Sequence, residues 1–177
     1  MSHIVLKKWE HLKKQIIERT GDLDAYALVN LLLDWALEIK LIKDVQVKKY
    51  YKDFLENYEN LEIENILYTD EVWYSWEEII QIDILNSNVN SYQRAIVKVR
   101  DILFNLLAFK SNKICPCCED DNLRVFLEKG SERLVFECDI CLCLVDEHGN
   151  KLESGGIDLT FAPISLIKSK NIEPSPI

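Results

Sequence analysis

"KICPCCEDDNLRVFLEKGSERLVFECDICLCLVDEHGNK", residues 113–151, holds all six cysteines of a 177-residue chain. Cys115 and Cys118 form one CxxC pair, Cys138 and Cys141 a second, and nineteen residues lie between the pairs. "NLRVFLEKGSERLVFE" reads as two short strands around a turn at Gly130-Ser131. A two-strand excursion of that length brings the chain back to its start, so the two pairs converge. "CLVDEHGNKLE" reads as another hairpin, turning at His148-Gly149-Asn150, and "GGIDLTFAPISLI" as one further strand or an extended arm. Four thiolates in this spacing fit the closed tetrahedral site that zinc takes when its role is structural. Cys115, Cys118, Cys138 and Cys141 are therefore the expected ligands and Zn2+ the expected cofactor.

The stretch resembles a zinc ribbon, whose knuckles usually read CPxC followed by Gly. Here the knuckles are "CPCCE" and "CDICL": Pro116 matches, and neither has the Gly. The "CPCC" opening is also similar to that of small cysteine-rich bacterial domains. The resemblance covers residues 114–145 and implies the same four metal ligands. Zinc ribbons serve nucleic-acid, protein-binding and purely structural roles, so it fixes the metal better than the function. Cys117 and Cys143 are left as alternative ligands, a redox pair or small buried residues, with packing the default for so buried a residue type. His148 reads as a surface residue of a turn, and His3 and His11 lie on the first helix without metal partners. Rubredoxins hold iron in the same geometry, but their knuckles use glycines so that backbone donors can approach the sulfurs. Both glycines are absent here, which places redox chemistry below a structural site.

Residues 1–113 read as helices. Val5, Trp9, Leu12 and Ile16 recur at helical spacing, Gly21 supplies a stop, and Asp22 or Asp24 can cap the next helix. That helix, roughly 25–42, is apolar on several faces (Leu28, Leu31, Leu32, Trp35, Ile39) and belongs at the centre of a bundle. A third is expected over 44–58, with Val47, Tyr50, Tyr51, Phe54 and Leu55 inward. Ser75 and Glu78 have capping-box spacing before "WEEIIQIDIL", and Ser91 can cap a long helix striped by Ile96, Val99, Leu103 and Leu106. The fold class is thus α+β: a helical bundle over 1–113, a zinc-ribbon-like β module over 114–167, and a loose tail over 168–177.

The net charge is −9 and the pI about 4.9. A phosphate-binding surface needs a basic face, so the composition argues against nucleic acid. Residues 53–83 contain ten acids and no Lys or Arg, with Phe54, Tyr58, Tyr68, Trp73, Tyr74 and Trp76 interleaved. Such a field speeds encounter with a basic partner, and aromatic side chains anchor interfaces. For any single aromatic, packing is the commoner use. The expected contacts are Glu59, Glu62, Glu64, Asp70, Glu71, Trp73, Tyr74 and Trp76. From Cys115 to Glu153 ten acids face four bases, so the cysteine module keeps the same sign.

No Walker loop, GxGxxG, HExxH or GxSxG occurs, so a non-enzyme is expected. The N-terminus lacks a secretory signal pattern and no stretch reads as a membrane span, which points to the cytoplasm. The expected function is an acidic binding module with a basic protein partner. The class that fits by its properties is the bacterial immunity or antitoxin protein, which neutralises a basic toxin such as a nuclease by charge-complementary docking. The rivals are a zinc-ribbon nucleic-acid or transcription factor and a rubredoxin-like redox protein.

Overall fold

The computed structural model describes residues 2–19, 23–68, 79–153 and 156–175. It is α+β and divides into two compact units, Met1–Ile63 with Tyr74–Leu106, and Glu64–Trp73 with Leu107–Ile177.

The first unit is helical. Helix α1 (Ser2–Arg19) buries Val5, Trp9, Leu12 and Ile16, the stripe its periodicity predicts. Helix α2 (Ala25–Lys40) opens at Asp24, whose carboxylate accepts from the Ala27 N–H at 2.7 Å. That contact satisfies one of the orphan donors of the first turn. Eight α2 residues are buried, including all five of the expected core set, because the helix packs against both α1 and α3 (Val45–Phe54). Trp9 and Trp35 meet edge to face across α1 and α2, ring centroids 6.2 Å apart.

Asp44 caps α3 through the Gln46 and Val47 N–H groups. This helix ends earlier than the expected 58, and the chain tightens into a 3-10 turn at Glu56–Tyr58. Val47, Tyr51 and Leu55 are buried, whereas Tyr50 and Phe54 stack half-exposed at 5.7 Å. A single helical turn, α4 (Ile63–Ile66), follows, and all but its first residue belong to the second unit. The Ser75–Glu78 capping box lies outside the described residues. The expected helix beyond it is present over Ile79–Leu85 as a π-helix with Ile80 and Ile84 buried. Ser91 caps α5 (Tyr92–Leu107), its Oγ accepting from the Arg94 N–H, and the predicted stripe from Ile96 to Leu106 is buried.

The second unit is an antiparallel sheet. Its strands are β1 (Phe109–Ile114), β2 (Asn122–Glu128), β3 (Leu134–Glu137), β4 (Leu144–Val145) and β5 (Leu159–Phe161). The order is β1-β2-β3-β4, and β5 also pairs with β2. The register Val125↔Phe136 and Phe126↔Val135 sets the β2–β3 hairpin, and Gly130 turns it at φ 79°. The second hairpin closes at Val145↔Lys151, with Gly149 at φ 84° and the Asp146 carboxylate accepting from the His148 and Asn150 N–H groups. Glycine adopts positive φ without the steric cost of a Cβ.

Two segments differ from the expectation. Residues up to 113 read as helical, yet α5 ends at Leu107 and Phe109 starts β1. "FKSNKI" buries alternate residues at its start, and its backbone bonds go to β2. Beyond β5 the chain winds into α6 (Ile164–Ser169) behind Pro163. Of the segment 168–177, which reads as a tail from its composition, the described residues 168–175 begin as the end of α6 and then pair with β1. The Asn112 N–H donates to the Glu173 carbonyl at 2.9 Å and the Ser175 N–H to that of Lys110 at 2.9 Å. The core joins Phe109, Leu123, Val125, Leu134, Phe136, Val145 and Ile167 to the sulfurs of Cys115, Cys138 and Cys143.

Candidate metal centre

The hairpin β2–β3 carries the two CxxC turns to one end of the sheet. The four Sγ atoms of Cys115, Cys118, Cys138 and Cys141 lie within 4.8 Å of one another. Cys115 and Cys141 are 3.6 Å apart, as are Cys118 and Cys138. A tetrahedral ion bound at about 2.3 Å sets its sulfurs about 3.8 Å apart, so this cage accepts such an ion with little movement. All four predicted ligands therefore converge.

The two knuckles are built alike. The Cys115 carbonyl accepts from the Glu119 N–H at 3.0 Å, and the Cys138 carbonyl accepts from the Leu142 N–H at 3.0 Å. Each loop is closed at its base, Cys115 N–H to the Asp121 carbonyl at 2.8 Å and Cys138 N–H to that of Cys143 at 3.1 Å. Within the first turn, the Cys117 N–H points at the Cys115 sulfur, 3.4 Å away. The residues standing where a ribbon knuckle has glycine are Glu119 at φ 60° and Leu142 at φ 55°. Left-handed backbone costs a non-glycine residue about 1–2 kcal/mol, and the closed loop holds both residues there. The lack of glycine was expected to keep backbone donors from the sulfurs. It does not, because two ordinary residues adopt the glycine conformation.

The thiols ionise unequally. At Cys115 burial opposes ionisation, but the Cys117 and Cys118 N–H groups and the neighbouring thiols outweigh it and bring the group down to about 7. At Cys118 the Asp120 N–H favours the thiolate, yet burial and three adjacent sulfurs prevail and push it up to about 12. Burial first of all raises Cys138 as well. Four thiolates coexist here only around a cation, which is the donor chemistry of a metal site.

Two features stand beside the ligands. Cys117 and Cys143, left open as alternative ligands, a redox pair or, by default, packed residues, are joined by a disulfide with Cα atoms 6.5 Å apart. Cys143 is indeed buried, while Cys117 is exposed. Once the ligand pairs converge, these neighbours are carried together, a consequence of the register that spacing alone does not reveal. Arg124 is the second feature: it is buried in β2 and paired to Asp139 of the second knuckle at 2.6 Å. This pair ties the "CDIC" turn to the sheet. His148 is exposed in its turn, as expected.

The expected partner surface is placed only in part. Asp70, Glu71, Trp73, Tyr74 and Trp76 lie outside the described residues. Glu59 is ion-paired to Lys40 at 2.5 Å. Lys40 first, and the Tyr51 hydroxyl second, hold the Glu59 carboxyl below its usual range. Glu62 and Glu64 are exposed. Of the interleaved aromatics, Tyr58 is buried in the helical unit, and Tyr68 packs edge to face on Phe109 at 5.1 Å in the sheet unit. No helix among the described residues is long and apolar enough to cross a membrane. Comparison of the chain with protein-family models, with curated proteins and with solved structures finds no match.

Proposed function

We propose that this chain is a non-enzymatic binding protein, an acidic module braced by one structural zinc ion that docks on a basic protein. Immunity or antitoxin action against a basic toxin, such as a nuclease, is the form that suits it best. The single observation carrying the reading is charge: 30 acids against 21 bases, with the excess held both in residues 53–83 and in the cysteine module. Four thiolates on a divalent ion add two more negative charges. A phosphate reader would need the opposite sign around its knuckles.

The four-thiol cage favours a structural ion, since four protein ligands leave no position for water or substrate. One observation favours the redox alternative: the N–H donors aimed at Cys115 and Cys138 are the kind that stabilise an iron–thiolate centre. Metal analysis separates the two.

The test is a pull-down with the tagged full chain from its own source, assaying metal and nucleic acid in the same eluate. A stoichiometric basic protein, about one zinc per chain and no nucleic acid are expected. Salt-labile DNA or RNA in the eluate would replace the reading with that of a ribbon reader, and iron with that of an electron carrier.

A further inference from the structure

Leu142 is unfavourable twice over. Its backbone sits at φ 55°, where a Cβ crowds the chain, and its side chain is 66% exposed. Glycine would relieve the first problem and a polar residue the second. At the matching place in the other knuckle stands Glu119, whose charged side chain is at home in water. The closed loop requires the left-handed backbone but not a leucine upon it, so the side chain points to a use outside the fold.

Leu142 has company. Ile140 is 59% exposed and Ile114 62% exposed, and each adjoins a metal-ligand cysteine. Because the Cys115 and Cys141 sulfurs are 3.6 Å apart, residues 114 and 140–142 come to the same end of the sheet. Single exposed apolar side chains are ordinary, whereas a group of them marks a binding surface. Glu119 and Asp120 are exposed beside them, and four thiolates around a divalent ion would carry two net negative charges. Two copies of such a tip would repel one another.

We infer that the metal knuckles form a docking surface for a protein segment that sets lysine or arginine around an apolar side chain, with Leu142 as the central apolar contact. The inference rests on the reading of the chain as a binder of basic protein, and names where that partner is held.

The test uses the zinc-loaded full chain, labelled with ¹⁵N, and two synthetic peptides of equal charge, one of lysine and leucine, the other of lysine and serine. The lysine–leucine peptide should shift the amide signals of Ile114, Ile140 and Leu142 and bind at least about tenfold more tightly than the lysine–serine peptide. Leu142→Asn keeps a residue that tolerates positive φ and should weaken that binding by about tenfold, with zinc content and distant signals unchanged. Equal affinity for L142N and wild type, or equal affinity of the two peptides at the knuckles, overturns the surface. Shifts confined to the neighbourhood of Glu59 and Glu62 overturn it too but leave the binder reading intact. No binding of either peptide at low salt overturns both.

Discussion

Replacing Cys117 and Cys143 together by serine should weaken metal binding although neither residue is a ligand. Their disulfide spans 26 residues, and the metal closes almost the same loop, through pairs separated by 26 and 20. In the chain-entropy view, closing a loop of that length removes about 3.5 kcal/mol of freedom from the unfolded chain. A metal-free chain already closed by the disulfide needs little further ordering to gather four sulfurs. The whole of that constraint, expressed in affinity, is about 300-fold at 1.4 kcal/mol per factor of ten. The sheet core of Leu123, Val125, Leu134 and Phe136 holds part of the loop without metal, so a loss of about tenfold to 300-fold is expected. The assay is competition for zinc with a chromophoric chelator, oxidised wild type against C117S/C143S. Thiol titration of the denatured, metal-free wild type should count four free thiols, matching the four unbridged cysteines. Affinities equal within about twofold would refute the idea that the two cross-links brace one loop.

Cys118→Ser should abolish stoichiometric metal binding and open the sheet unit to protease, while far-UV circular dichroism keeps most of its helical signal; unchanged protease resistance and melting would contradict a structural ion. Glu119 sits at φ 60°, so Glu119→Val should cost more than about 1 kcal/mol in urea unfolding and Glu119→Gly should cost nothing measurable; the reverse order would show that the backbone there is relaxed. At Asp121 burial opposes ionisation, but the Lys110 ammonium and the Asn122 N–H outweigh it and hold the carboxyl below the usual range. A depressed carboxyl stabilises above the unfolded value of about 3.9 and loses that contribution as pH falls through the folded value. The stability gap between wild type and Asp121→Asn should therefore be full at pH 5 and shrink as the solution is acidified towards pH 3; a constant gap would refute the assignment.

The helical core could be read from sequence because every side chain in a 3.6-residue stripe must share a face. Val5, Trp9, Leu12 and Ile16 have no alternative once α1 forms. The ligand set was legible for a similar reason, since two CxxC turns joined by a hairpin have one geometry. β1 was hidden because "FKSNKI" is polar and follows a helix without a breaker; its strand state depends on β2, which lies elsewhere in the chain. Glu119 and Leu142 could be seen only as absent glycines, for a left-handed backbone leaves no mark in the residue that is made to adopt it. The Cys117–Cys143 bond and the Arg124–Asp139 pair depend on register across the sheet, which a linear pattern does not carry.

The manner in which the C-terminal stretch lies along β1 has a consequence for recognition. The Asn112 N–H and the Lys110 carbonyl, which would otherwise point outwards from that strand, are taken up by Glu173 and Ser175. At the other margin β4 is only two residues long, Leu144–Val145. A visiting peptide that recognises its host by adding a strand needs a run of open backbone donors and acceptors. Along residues 110–112 and at β4 the described residues offer no long run of that kind, so these two margins do not invite strand addition by a foreign peptide or by another copy of the chain. A partner that meets the unit there must read its side chains, and its specificity is then open to change one residue at a time.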